Sequence, residues 1–193
     1  IYKMHGLSFR EYLGLKHGID FSEIRLENLI TDHEKLALKI KKGVEEKGLK
    51  ILPVFNEYLE TGYYPFSLNF EDKALFHTAL EQNIRTTLES DLLAVHPELT
   101  GVSIRRITKL LSIMSGMVPF VPDMIKLKSL IEVIDERTLK TYFRYLENAG
   151  IINLLFKEKD NFRQMAKPEK IYFNNTNLLH SMRRFGSVDP GSV

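Results

Sequence analysis

Between residues 76 and 92 the apolar side chains return at every fourth position. Phe76, Leu80, Ile84, Leu88 and Leu92 punctuate the otherwise polar stretch NFEDKALFHTALEQNIRTTLESDLLAV. That spacing predicts a long amphipathic helix, broken by Pro97. Shorter stripes precede it. In HGLSFREYLGLKHG, Ser8 and Glu11 have capping-box spacing, Leu7 precedes the cap, and Phe9, Tyr12, Leu13 and Leu15 form a stripe that Gly18 stops. SEIRLENLITDHEKLALKIKKGVEEKG predicts a further helix, in one or two pieces, with Ser22 as cap and Ile24, Leu29, Ile30, Leu36, Ile40 and Val44 facing inward. After Pro53, VFNEYLETG predicts a short helix ending at Gly62, and YYPFS a turn.

From Val102 onward the pattern changes character. Ile104, Ile107, Leu111 and Met114 mark one helix, and MVPFVP reads as a loop. DMIKLKSLIEVI makes a second helix capped by Asp123, with Leu127, Leu130, Ile131 and Ile134 inward. Asp135 caps a third, whose Leu139, Tyr142, Phe143 and Leu146 face a core and whose Asn-Ala-Gly ending is a helix stop. The branched runs IINLLF and KIYFN then read as strands around the polar KEKDNFRQMAKPE. Three helices followed by a two-stranded ribbon is a winged-helix layout. The expected fold class is therefore mainly α with a small β component: a helical, lid-like bundle followed by a winged-helix domain of three helices and a β-hairpin wing.

Composition adds little until it is divided along the chain. The 193 residues are 44% apolar and 27% charged, enough for one large or two small cores. There is no cysteine, which excludes disulfides and thiolate zinc sites and fits a reducing, cytoplasmic compartment. No apolar run has the length of a membrane span, and no cationic-then-apolar leader opens the sequence. The first residue is Ile1 rather than Met, so a piece of a longer protein is expected. Residues 1–100 hold 12 Lys/Arg against 16 Asp/Glu, net −4, whereas residues 101–193 hold 15 against 9, net +6. A basic C-terminal part points to a nucleic-acid face there, and a solvated lysine surface is the plainer alternative.

Catalytic chemistry finds no support in the residues. Gly43 and Gly48 have phosphate-loop spacing, but Leu49, Lys50 and Ile51 follow where a Gly-Lys-Ser/Thr ending belongs, so both read as helix-terminating glycines. Asp32, His33 and Glu34 are consecutive and diverge on a helix, while His77 and Glu81 share a face as an exposed ion pair. No nucleophile elbow accompanies the serines. No catalytic residue, metal site or cofactor site is assigned.

The helix after Asp135 is the best candidate surface. With its apolar side chains inward, Arg137, Lys140, Thr141 and Arg144 project outward, where phosphates or base edges would meet them. Lys157, Lys159, Arg163 and Lys167 would lie along the backbone from the wing. Glu136 and Glu147 on the same helix oppose a phosphate surface. The alternative is a winged helix that packs protein domains together.

Four motifs in order also resemble one family. IYKMHGLSFREYLGL, FNEYLETGYYP, the helix containing TTLESDL, and TLKTYFRYLENAGIINLLF with KIYFNNTNLL are similar to the prokaryotic AAA+-type ATPases whose P-loop core is followed by a family-specific winged-helix region. The family's Leu-Ser-Phe-Arg-Glu-Tyr/Phe-Leu motif is intact as Leu7 to Leu13. Its Tyr-Leu-x-x-Gly-Gly-x-Pro motif is present as Tyr58, Leu59, Gly62, Tyr63, Tyr64 and Pro65, with Tyr63 in place of the second glycine. Lys170 to Phe173 match the family's Lys-x-Tyr-Phe strand, and Asn177-Leu178 follow where the family often has Asp/Thr and Gly-Leu.

The resemblance implies a helical lid over residues 1–98, a winged helix over 99–180 and a tail or linker over 181–193. It implies a P-loop domain ahead of Ile1 that would carry ATP and Mg, and no ATP hydrolysis by this part alone. DNA or a partner protein would meet the winged helix, no membrane is involved, and self-association is left open. The competing reading is an independent transcriptional regulator or protein-interaction module whose acidic half senses or dimerises.

Overall fold

Ser8 and Glu11 close the capping box that their spacing predicts. Ser8 Oγ accepts the Glu11 N–H at 3.3 Å and the Glu11 carboxylate accepts the Ser8 N–H at 2.7 Å, so α1 runs over Phe9–His17. The Ser8 backbone N–H, and after it the Ser8 hydroxyl, which donates to the same carboxylate at 2.7 Å, hold the Glu11 carboxyl below its ordinary value. The computed structural model describes residues 5–157 and 167–187, with side chains up to residue 183. By internal contacts the chain forms two units, Ile1–Phe76 and His77–Val193.

In the N-terminal unit α1 is followed by α2 (Leu26–Glu45) and α3 (Ile51–Glu57), which continues as a π-helical turn over Tyr58–Gly62. A 3-10 turn over Pro65–Asn69 comes next. Pro53 sits inside the first turn of α3 rather than ahead of it, where its missing N–H costs nothing. Tyr12, Leu13, Ile19, Val44 and Val54 form the core, with Phe9, Phe21 and Tyr58 packed on it. Leu15, read as part of the α1 stripe, is exposed.

The two N-terminal motifs are a single piece of packing. Tyr58 Oη donates to the Leu7 carbonyl at 2.7 Å, and the Leu7 N–H donates to the Tyr63 carbonyl at 2.7 Å. A Cβ on Gly62 would stand 2.8 Å from the Tyr12 ring, so the glycine is there for close approach. Tyr63, the departure from the family motif, has ordinary right-handed backbone angles and lays its ring where a Cβ on Gly6 would be. Gly48, with φ +72°, ends the turn after α2, but Gly43 lies within α2 against the Phe21 ring rather than ending it.

α2 departs furthest from its pattern. It starts at Leu26 after Arg25, which makes no side-chain cap, instead of after Ser22, and it bends at Asp32 (φ −127°, ψ 25°). Of the side chains read as inward, Val44 is buried, Leu36 and Ile40 are half-buried, and Ile24, Leu29 and Ile30 are exposed.

α4 (Lys73–Thr86) continues through a π-helical turn at Thr87–Asp91 into α5 (Leu92–Val95). A spacing of four drifts about 40° per step on an α-helix of 3.6 residues per turn. The wider π turn corrects that drift, so Phe76, Leu80, Ile84, Leu88 and Leu92 are all buried. The unit boundary falls within α4, ahead of residue 98, because the helix after Phe76 packs with C-terminal elements: His77 is 1% exposed and its Nδ1 lies 2.7 Å from Ser181 Oγ. The reading of His77 and Glu81 as an exposed ion pair is thus corrected. The helix turns His77 inward, and its cover comes from far along the chain.

The remaining elements follow: α6 (Gly101–Ser115), α7 (Met124–Leu130), α8 (Glu136–Asn148), β1 (Ile152–Leu155), β2 (Lys170–Phe173) and α9 (Thr176–Ser187). β1 and β2 are antiparallel, with Ile152 opposite Phe173 and Leu154 opposite Ile171. Phe120, in the proline-flanked loop, exchanges both backbone hydrogen bonds with Ile171 and adds a third strand position. α9 occupies part of the stretch read as a tail; Leu178, Ser181 and Met182 are buried, and Arg183 Nε donates to the Ser115 carbonyl at 3.0 Å. Mainly helical with a small antiparallel sheet is the fold class expected.

Candidate nucleic-acid interface

α8 is positioned from both ends. Asp135 accepts the Arg137 N–H at 2.8 Å as its N-cap, and Gly150 (φ +70°) turns the chain into β1. Leu139, Tyr142, Phe143 and Leu146 are buried, which turns the opposite face outward. The turn before the helix does not follow its reading. α7 ends at Leu130, Glu132 takes the left-handed region at φ +59°, and Val133 is buried, which leaves Leu130 40% and Ile134 98% exposed rather than inward. Arg106 donates to the Glu132 carbonyl and Lys109 lies 3.6 Å from its carboxylate, so α6 holds this strained turn.

On the outward face, Arg137 and Arg144 are exposed and Thr141 is half-buried between them. Seven residues at 1.5 Å each set the two arginines about 10 Å apart on one face. The Thr141 hydroxyl donates to the Arg137 carbonyl at 2.9 Å. Lys140 is more enclosed, with Nζ 2.9 Å from Glu136 one turn earlier. Glu147 accepts the Leu154 N–H at 3.1 Å and so fastens β1 to the helix. Both acidic residues that oppose a phosphate surface in the sequence therefore serve local structure.

The wing residues divide. Lys157 stands 3.8 Å from Glu169 across the hairpin, an exposed pair, and Lys167 is exposed. Lys159 and Arg163 lie outside the described residues. Sequence reasoning missed a second fastening of α8: the Tyr145 hydroxyl donates to Glu98 at 3.0 Å, the His96 ring lies 4.1 Å from that of Tyr145 at a tilt of 39°, and His96 Nδ1 is 3.3 Å from Glu98. Glu98's own backbone N–H, then Tyr145, hold its carboxyl below the ordinary value, while burial raises the Tyr145 phenol. The acidic–aromatic composition of VHPE and YFRY carried no signal that they meet.

Among the described residues no group of three or more His, Asp or Glu side chains could hold a metal, and no helix is long and apolar enough to cross a membrane. The chain matches, over residues 52–189, a family described as a domain of unknown function, DUF8612. That match spans more than half of the chain, which belongs to this family. No curated protein and no solved structure matches it.

Proposed function

We propose that this chain is the lid and winged-helix part of an AAA+-type ATPase and that its winged helix binds duplex DNA through α8. The observation that carries the DNA reading is the outward stripe of Arg137, Thr141 and Arg144 on a helix whose Glu136 pairs with Lys140 and whose Glu147 holds the Leu154 amide. In a helix-turn-helix the second helix enters the major groove and presents such side chains to bases and phosphates. The ATPase reading rests on the four ordered motifs, two of which pack together through Tyr58, Leu7 and Gly62. On that reading ATP and Mg belong to a P-loop domain encoded upstream of Ile1, and finding no such domain there sinks it. The expected compartment is the cytoplasm.

The DNA reading is tested by titrating the chain with duplex DNA across a salt series. Binding should weaken steeply with salt, and the Arg137→Ala/Arg144→Ala pair should reduce the log–log slope by about 0.9 for each phosphate that is no longer neutralised. Absence of binding at low salt, or indifference to the double substitution, removes the proposal. A protein partner is the second reading, favoured by Ile134 at 98% and Ile125 at 80% exposure. Ile134→Asp should abolish capture of such a partner and leave DNA binding unchanged.

A further inference from the structure

α2 carries an apolar stripe longer than the body that covers it. Val44 is buried in the N-terminal unit, yet Leu26, Leu29 and Ile30 are 67%, 50% and 71% exposed. Beside Ile40 the same unit leaves an open groove of ≈ 400 Å³, lined by Phe9, Leu13, Phe21, Ile24 and Ile40 and rimmed by the Arg10–Glu23 ion pair at 3.2 Å. An uncovered ridge and an unfilled groove thus lie on one small unit.

Charge adds direction. Residues 25–34 hold Arg25, Glu27, Asp32 and Glu34, net −2, while residues 35–45 hold Lys35, Lys39, Lys41, Lys42 and Glu45, net +3. Intrahelical pairs engage some of these, Lys35 with Asp32 at 3.2 Å and Lys41 with Glu45 at 3.6 Å, both exposed and weakly coupled in water. A helix acidic in its first half and basic in its second complements itself only when antiparallel. A parallel pair sets like charge against like.

We propose that the occupant of this face is a second copy of the chain, with two α2 helices packed antiparallel about a two-fold axis. Each copy sets Leu26, Leu29 and Ile30 into the groove beside Ile40 of the other. The contact is made twice from one patch, as an isologous interface requires, and the acidic half of each helix meets the Lys39 and Lys41 end of its copy.

The test is sedimentation equilibrium of the 193-residue chain over a concentration series. The expected result is reversible association from 22.4 kDa to twice that mass. Ile30→Asp should leave a monomer with unchanged circular dichroism, because that side chain is exposed within one copy. Glu27→Lys/Glu34→Lys and Lys39→Glu/Lys41→Glu should each weaken association about tenfold or more, and the four together should restore it by reversing the polarity of both helices. A wild-type monomer at every concentration, or a dimer that survives Ile30→Asp, overturns the proposal. So does failure of the four-fold reversal to restore association, since a face for an unrelated protein has no reason to recover.

Discussion

α2 and α8 announce themselves in the sequence by the same device, an apolar stripe at helical spacing, and they end in opposite circumstances. α8 has its whole stripe buried, Leu139 and Leu146 completely, because α7 and β1 both pack against it. α2 is met by α3 near its end, and the first half of its stripe faces solvent. Periodicity states which face of a helix would gain from burial. It does not say whether another part of the chain arrives to bury it.

Truncating each stripe gives the sharpest contrast. Phe143→Ala should destabilise the C-terminal unit by about 3–5 kcal/mol, the cost of a large buried aromatic and the cavity it leaves. Leu29→Ala, half exposed, should change the stability of the N-terminal unit by less than about 0.5 kcal/mol. Denaturant unfolding, at protein concentrations low enough to keep the chain monomeric, measures both. Equal losses would mean that α2 is covered within one copy, and the comparison would fail.

What can be read in advance follows the range of each signal. The α8 cap, its inner face, its glycine stop and the two strands are local features, and all stand where the residues place them. The outward position of Arg137 and Arg144 follows from the inner face alone, and the Lys140–Glu136 pair from spacing of four. Features that depend on a distant segment are illegible. His77 gives no hint of Ser181, 104 positions away, nor Tyr145 of Glu98, nor Phe120 of Ile171. Ile134 departs from its pattern for another reason. The turn at Glu132 adopts a left-handed conformation without a glycine to signal it, so the helical period in the sequence runs on past the end of the helix.

Capping separates the same two helices by a smaller amount. Asp135 supplies a carboxylate to the first turn of α8, whereas Arg25 offers α2 no side-chain acceptor. Asp135→Ala should therefore cost about 1 kcal/mol, and Arg25→Ser should stabilise the N-terminal unit by about 0.5–1 kcal/mol. Denaturation midpoints at constant slope distinguish these from changes in compactness. A stabilisation at position 25 that matches the loss at 135 in sign-reversed size would show that the missing cap, rather than the bend at Asp32, limits α2.

Acid should separate the two units by the smallest margin. Burial holds the His17 imidazole below its ordinary value, against a lesser opposing pull from Glu57, so the folded N-terminal unit takes up this proton less readily than the unfolded chain. Unfolding then binds a proton as pH falls below about 6.5, and the stability His17 contributes is present above that value and lost through its lower folded pKa. Glu98 in the C-terminal unit and Glu11 in the N-terminal one, both held low by hydrogen bonds, lose theirs only further down, in the carboxylate range. Residue-resolved hydrogen exchange between about pH 7 and 5 should show protection falling first around α1, and His17→Gln should flatten that fall while leaving α8 unchanged. Parallel loss in both units over that window would place the sensitive group elsewhere and remove His17 as its source.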